Sequence, residues 1–209
     1  MGGQRIPGAE GLDDDEPLEG DGAPPRGGFS EPGPIGLKGG GVKFIDRKIA
    51  SVTDDWHPPS VNSTDQEISA PTLAEVGRLL NTLPEWGRGG GRIRSDAIAP
   101  GSSPTVDVNL HANLEKTMPK WLDYSSASAA AKKEWDRMFA ALEAHEQGHI
   151  DIAIKVADEL KSKLPGKSID DLVPMINAAN RQMKALQDDF DTKTAHGQNT
   201  GVNLNTSIP

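Results

Sequence analysis

The sequence predicts an α+β domain with a long helix, a second helix antiparallel to it and a small β-sheet, preceded by a disordered tail. Three observations lead to this prediction. Apolar residues recur at helical spacing over much of the C-terminal half, residues 105–114 alternate strictly between apolar and polar, and the N-terminus is rich in glycine and proline.

The N-terminal segment has the composition of a chain that does not fold alone. Residues 1–41 hold 13 of the 23 glycines and 6 of the 16 prolines, with eight acidic residues against three basic ones. Such a segment buries too little apolar surface to offset its conformational entropy. We therefore expect a disordered tail and linker over residues 1–60 and a folded domain over residues 61–209. Within the linker, Val42–Val52 could form a short strand or a docking segment, but we favour a partly ordered linker. The tail is a candidate site for a protein partner.

Composition excludes several classes of function. The 209 residues include no cysteine, which excludes disulfides and thiolate metal sites, and the formal net charge of −9 argues against nucleic acid as a partner. No apolar run is long enough to span a membrane. The first residues lack the apolar core of a signal peptide.

The first part of the domain predicts one helix and a sheet. Residues 72–83 have helical periodicity between Pro71 and Pro84. The glycines of residues 87–91 indicate a tight hairpin or a mobile loop, and they lack the Lys-Ser/Thr ending of a phosphate-binding loop. Residues 105–114 predict a strand with one buried face, and residues 93–98 are a candidate partner for it.

The second part predicts two helices. The longer one follows the serines at positions 125, 126 and 128, which are candidate N-caps, and it ends at Pro165-Gly166. At about 1.5 Å per residue it would approach 60 Å, so we expect a bend or a late start. The other begins at Ser168, with Asp171 as a capping signal and Pro174 near the first turn, and runs through Phe190.

The chemistry of the sequence centres on His145-Glu146-Gln147-Gly148-His149. Two histidines four residues apart lie one turn above each other on a helix, so both imidazoles can reach one Zn²⁺ at about 2.0–2.1 Å. Glu146 lies beside such a metal. There it can accept a proton from a coordinated water, whose pKa zinc lowers from 15.7 to about 7. This pattern is typical of zinc metallopeptidases.

The third ligand stays open on the residues alone. The metzincin continuation is excluded because Lys155 stands where that pattern needs histidine. His57 and His111 are weak candidates, and His196 follows the second helix by six residues, where an antiparallel return would bring it to the metal. Carboxylates of the second helix are the other possibility: Asp170, Asp171, Asp188 and Asp189.

The segment Leu142–Ala153, with Trp135 upstream and Phe190-Asp191-Thr192-Lys193-Thr194-Ala195-His196-Gly197 downstream, resembles the bacterial family called domain of unknown function 922. A Ser69–Leu80 segment, a glycine-rich loop and Met118-Pro119-Lys120-Trp121 also fit its pattern, so the resemblance covers residues 68–202. The family is described as predicted secreted zinc-dependent proteases. The resemblance implies a zincin-like fold with His145 and His149 as zinc ligands, Glu146 as the base and His196 as the third ligand. It also implies a bacterial protein that is exported by a route without a visible signal peptide, with the cytoplasm as the alternative.

We therefore expect a zinc-dependent hydrolase that acts on a peptide or protein substrate. The alternative is a zinc-stabilised binding or structural module, such as a cargo of a secretion or injection assembly. A structural zinc site is closed by four protein ligands, whereas a catalytic site keeps one position open. The two readings therefore differ in the number of protein ligands and in the role of Glu146.

Overall fold

The computed structural model describes residues 46–98 and 102–208, and the predicted disordered tail lies outside them apart from its last residues. The described chain is an α+β fold, as predicted, and it has four strands and three α-helices. In chain order they are β1 (Lys48–Asp54), β2 (Val61–Ile68), α1 (Leu73–Leu80), β3 (Arg88–Ile98), β4 (Thr105–Trp121), α2 (Ala129–Lys163) and α3 (Leu172–Thr194).

The sheet is built around β4, which is longer than the predicted strand. β3 pairs with it antiparallel over residues 107–117, as expected for residues 93–98. β1 pairs parallel with residues 105–110 and β2 pairs parallel with residues 114–121. Because both of these pairings overlap the β3 register, β1 and β2 must lie end to end along the other edge of β4.

β1 places the start of the folded unit before residue 61, the predicted boundary. Ile49 in this strand and Trp56 in the loop after it are each only 1% exposed. Their burial against the sheet and α2 explains why a stretch with few apolar residues still folds. Because this strand begins at Lys48, the favoured interpretation of Val42–Val52 as a partly ordered linker is wrong from that residue onward.

The glycine run was expected to form a hairpin or a mobile loop, but most of it belongs to a strand. Residues 88–91 open β3, and their backbone lies against α2. A Cβ at position 89 would stand 2.2 Å from the backbone oxygen of Glu146, a separation that no side chain tolerates. Glycine inside a strand often marks such a close approach of two backbones.

The two long helices form an antiparallel hairpin. α2 begins after Ser128, whose side chain accepts a hydrogen bond from the Ala131 N–H, and it continues without interruption for 35 residues, or about 52 Å. α3 follows a 3₁₀ turn capped by Ser168, with Pro174 in its first turn. Gln182 contacts Glu159 and Gln187 contacts His149, so the numbering runs in opposite directions along the pair.

Two hydrophobic clusters make up the core, and they meet α2 on either side of one short segment. One cluster is formed by the sheet, by α3 and by the C-terminal half of α2, which contributes residues from Ile150 onward. The other joins α1, the end of β4 and the N-terminal half of α2 up to Leu142. Residues 143–149 of α2 lie between them. No helix of the described residues is long and apolar enough to cross a membrane.

Candidate metal centre

The His-Glu-x-x-His segment lies on the buried side of α2. His145, Glu146 and His149 are 7%, 4% and 7% exposed, and they are the buried polar residues of the described chain. Charged and polar side chains are seldom this deeply buried without a partner or a function. The geometry around them shows which groups they meet.

α3 brings Asp191 to the two histidines. Its Oδ1 atom lies 3.2 Å from Nε2 of His145 and 3.0 Å from Nε2 of His149. One ligand atom from each of the three residues lies within 4.8 Å of the others, so the group could hold a metal ion. The antiparallel return of α3 predicted from the sequence is therefore what completes the cluster.

These distances suit a tetrahedral metal site. Ligand atoms at about 2.0–2.1 Å from zinc and at tetrahedral angles stand roughly 3.3 Å apart. Nδ1 of His145, the other ring nitrogen, is buried without a hydrogen-bond partner. Burial, with the nearby His149, lowers the pKa of His145, which favours the neutral imidazole that binds metals.

Phe190 forms one wall of the centre. Its ring stacks on His145 with centroids 5.0 Å apart and meets His149 edge to face at 5.1 Å. A Cβ at Gly148 would stand 2.6 Å from the Phe190 ring. Gly148 therefore leaves room for an aromatic side chain, although glycine inside a helix costs about 1 kcal/mol relative to alanine.

The carboxylate of Glu146 contacts the glycines at and just before the start of β3. The N–H of Gly89 donates to its carboxylate, and a Cβ at Gly87 would stand 2.9 Å from its Oε1 atom. Burial first, then the charges of Glu85 and Asp191, raise the pKa of Glu146 to about 7. No lysine or arginine forms an ion pair with it among the described residues. The chain thus buries a carboxyl group next to the centre without giving it an ion-pair partner.

His196 lies at the mouth of the centre. Its Nδ1 atom is 3.9 Å from Asp191 Oδ1, and its side chain is 78% exposed. The chain leaves α3 through left-handed residues at Ala195, His196 and Gly197, which turn it back toward α2. His196 is therefore near the three buried residues but outside their group, and its role as a ligand remains a prediction.

The other candidates for a third ligand lie elsewhere. His57 bonds to Asp158, and both ring nitrogens of His111 meet carboxylates. Two of the predicted carboxylates on α3 pair with lysines one turn away, Asp188 with Lys184 and Asp189 with Lys193. The other two, Asp170 and Asp171, lie at the start of that helix, and the cluster lies near its end.

Sequence reasoning overlooked Asp191 itself. The signal was present, because Asp191 opens the Asp-Thr-Lys-Thr-Ala-His-Gly segment that suggested His196. It also follows Gln187 by one helical turn, so it shares the face of α3 that contacts α2. The register of the helix pair, which decides between neighbouring acids, follows only from packing.

The fold and the site together define an α+β domain with a buried His/His/Asp group that could hold a metal. The chain belongs to the family described as bacterial protein of unknown function (DUF922), whose profile matches residues 68–197, more than half of the chain. This match confirms the family that the sequence resembles, and it spans every residue of the cluster. Neither the comparison with curated proteins nor that with solved structures gave a match.

Proposed function

We propose that the protein is a zincin-like, zinc-dependent hydrolase that cleaves peptide bonds. The observation that carries this proposal is the buried Glu146, which lies beside the His145, His149 and Asp191 group but outside it. A structural metal site needs no such group. A buried carboxylate without a cationic partner reduces stability, so a catalytic role gives it a reason to be there.

The donor set suits zinc. Several catalytic zinc sites use two imidazole nitrogens and one carboxylate oxygen as protein ligands and leave the fourth position open. A chain without cysteine offers zinc no thiolate alternative. Two histidines with one carboxylate also bind Fe²⁺ in oxygenases, so the identity of the metal is part of the test.

The residues divide the chemistry between them. Zinc, when bound, would polarise the substrate carbonyl and acidify a coordinated water. His145, His149 and Asp191 would hold the ion, and the Phe190 ring would limit the movement of both imidazoles. Glu146 would accept a proton at a carboxylate oxygen and later release it to the nitrogen of the leaving amine. The Gly89 N–H keeps that carboxylate oriented.

The test compares Glu146→Gln with the wild type on a peptide library prepared from a digested bacterial proteome. Zinc and iron are first measured in both proteins by mass spectrometry. We expect equal zinc content, with cleavage reduced about 10²–10⁴-fold in the variant, the usual contribution of a general base. Glu143→Gln is the matched control, because Glu143 lies one turn earlier on α2 with an exposed side chain. Full activity of Glu146→Gln would remove this residue from the mechanism.

A second candidate, a zinc-stabilised binding module, is favoured by the position of His196. A small movement of its ring, whose Nδ1 atom is already 3.9 Å from Asp191, would supply a fourth protein ligand and close the site. His196→Ala separates the two. If the protein is a binding module, His196→Ala lowers zinc affinity as strongly as His149→Ala does, and the wild type cleaves no peptide in the library.

A further inference from the structure

A shallow groove runs between β3 and α3. Its larger part has a volume of about 400 Å³ and its smaller part about 200 Å³, and the two share Arg92, Asn177 and Asn180. The side-chain amide of Asn180 accepts from the N–H of Ile93 and donates to its carbonyl, both at 3.0 Å. This pair of bonds fixes α3 against the outer edge of β3, so the walls of the groove are set by the fold.

The groove carries positive charge that the protein itself does not neutralise. Arg92, Arg94 and Arg181 line it, all three are exposed, and none forms an ion pair among the described residues. Lys184, also on the lining, differs because it pairs with Asp188 at 2.7 Å. Three arginines without an ion pair among the residues that line one groove contrast with a chain of net charge −9. Guanidinium groups bind carboxylates in two-pronged, charge-assisted hydrogen bonds.

One end of the groove leads to the candidate metal centre. Gln187 lines this end, and its side chain donates to the backbone carbonyl of His149 at 3.4 Å. Asp191 is one turn further along the same face of α3. An extended ligand in the groove would therefore reach the centre without leaving the surface of α3.

We propose that this groove binds an acidic segment of the polypeptide substrate, so that the enzyme prefers peptides with aspartate or glutamate on one side of the cleaved bond. The inference rests on the proposed hydrolase function for its consequence but not for the binding itself. A nucleic acid is the less favoured occupant, because the net charge of the chain is strongly negative and the groove ends at the metal centre.

The spacing makes the preference specific. Arg181 precedes Asp191 by ten residues, which is about 15 Å along the helix. An extended peptide advances about 3.3 Å per residue. Arg181 would therefore meet an acidic side chain about four to five residues from the cleaved bond.

The first experiment measures binding without cleavage. Fluorescein-labelled hexaglutamate and hexaglutamine are titrated with the zinc-loaded Glu146→Gln full chain, and fluorescence anisotropy gives the dissociation constants. We expect hexaglutamate to bind at least about tenfold more tightly than hexaglutamine. A tenfold ratio of dissociation constants corresponds to only about 1.4 kcal/mol of binding free energy. Adding Arg92→Gln, Arg94→Gln and Arg181→Gln should abolish that difference.

A charge-matched triple variant is the control. Arg78, Lys133 and Lys155 are exposed and lie outside the groove, so their change to glutamine removes the same charge and should leave the difference intact. Equal weakening by both triple variants would overturn the proposal, because it would reduce the effect to net charge. So would competition by a ten-residue deoxythymidine oligonucleotide at lower concentrations than unlabelled hexaglutamate.

The second experiment reads the cleavage sites of the wild type in the proteome-derived library. Enrichment of aspartate and glutamate about four to five residues from the bond, on one side only, supports the proposal. A profile without that enrichment overturns it. If the wild type cleaves nothing, the proposed function fails, and the binding titration alone decides on the groove.

Discussion

The ring of Phe190 lies nearly parallel to the imidazole of His145, at an angle of 16°. The contact joins the two helices of the hairpin at the residue that precedes Asp191, so the ring and the carboxylate reach α2 from the same turn of α3. The space for it is provided by Gly148, which leaves α2 without a side chain where the ring passes.

Gly148→Ala should therefore weaken metal binding, although alanine is the better helix former. The added methyl group would displace a rigid ring that contacts both histidines. We expect a loss of metal affinity of about 10–100-fold, the range found when an outer-shell partner is removed. Competition with a chromophoric chelator measures it. Gln147→Ala, on the same turn of α2, should retain wild-type affinity, and an unchanged affinity in Gly148→Ala would contradict the role assigned to Phe190.

Asp191→Asn should lower zinc affinity by more than about 100-fold, because it removes the negative ligand and not merely an outer-shell partner. The wild type should hold about one zinc ion and should melt at a lower temperature after chelation, since a metal that binds only the folded state stabilises it. Asp188→Asn, which alters an exposed acid on the same helix, should change neither quantity. Equal zinc content in the two variants would exclude Asp191 as a ligand.

Gly89→Ala should push β3 away from α2. The new Cβ would overlap the backbone oxygen of Glu146, and neither backbone can rotate out of the way as a side chain can. Overpacking of this kind typically costs about 1–3 kcal/mol of unfolding free energy. Urea denaturation measures the loss, and Arg88→Ala, an exposed change at the adjacent position, is the control. A variant as stable as the wild type would show that β3 does not rest on this helix.

His111 should make stability depend on pH. Hydrogen bonds from its ring to Asp55 and Asp96 raise its pKa above the ordinary 6.5, against the opposing effect of burial. The stability gained is fully present below pH 6.5 and is lost as the pH rises through the higher pKa of the folded state. The wild type should therefore exceed His111→Gln in unfolding free energy by more at about pH 5.5 than at about pH 9.

Asp96→Asn provides the comparison for this pH series. It leaves His111 with one carboxylate partner instead of two. The contribution of His111 to the unfolding free energy should therefore still be larger at low pH than at high pH, but by a smaller amount than in the wild type. A difference that grows with rising pH would contradict the assignment.

Much of the fold follows from local pattern, and the rest depends on packing between distant segments. The spacing of His145 and His149 fixes their common face on any helix, and Ser128 is a local cap that the sequence identifies. β3 escaped prediction over residues 88–91 because glycine has no side chain to show alternation. Its conformation is selected by the backbone of Glu146, 57 residues later, and no local rule contains that contact.

Asp191, the third member of the candidate metal cluster, depends on packing in the same way. Asp188, Asp189 and Asp191 are chemically equivalent in the sequence, and only the rotation of α3 about its axis decides which of them faces α2. That rotation is set by contacts such as the one between Gln187 and the backbone of His149. Asp188 and Asp189 consequently face solvent and pair with lysines on their own helix.

The double hydrogen bond between Asn180 and Ile93 has a consequence for how copies of this protein meet. An open strand edge offers its N–H and C=O groups to another chain and is a starting point for aggregation. At the midpoint of β3 both groups are already taken by a side chain that imitates a neighbouring strand. At the opposite edge of the sheet, β2 instead exposes Asp65 and Glu67. These two carboxylates share the single ammonium group of Lys120, so the net negative charge that remains would repel a second β2 laid beside it. The β3 edge is closed at its midpoint by hydrogen bonds from the same chain, and the β2 edge carries exposed charge, so intermolecular sheet growth is disfavoured at both.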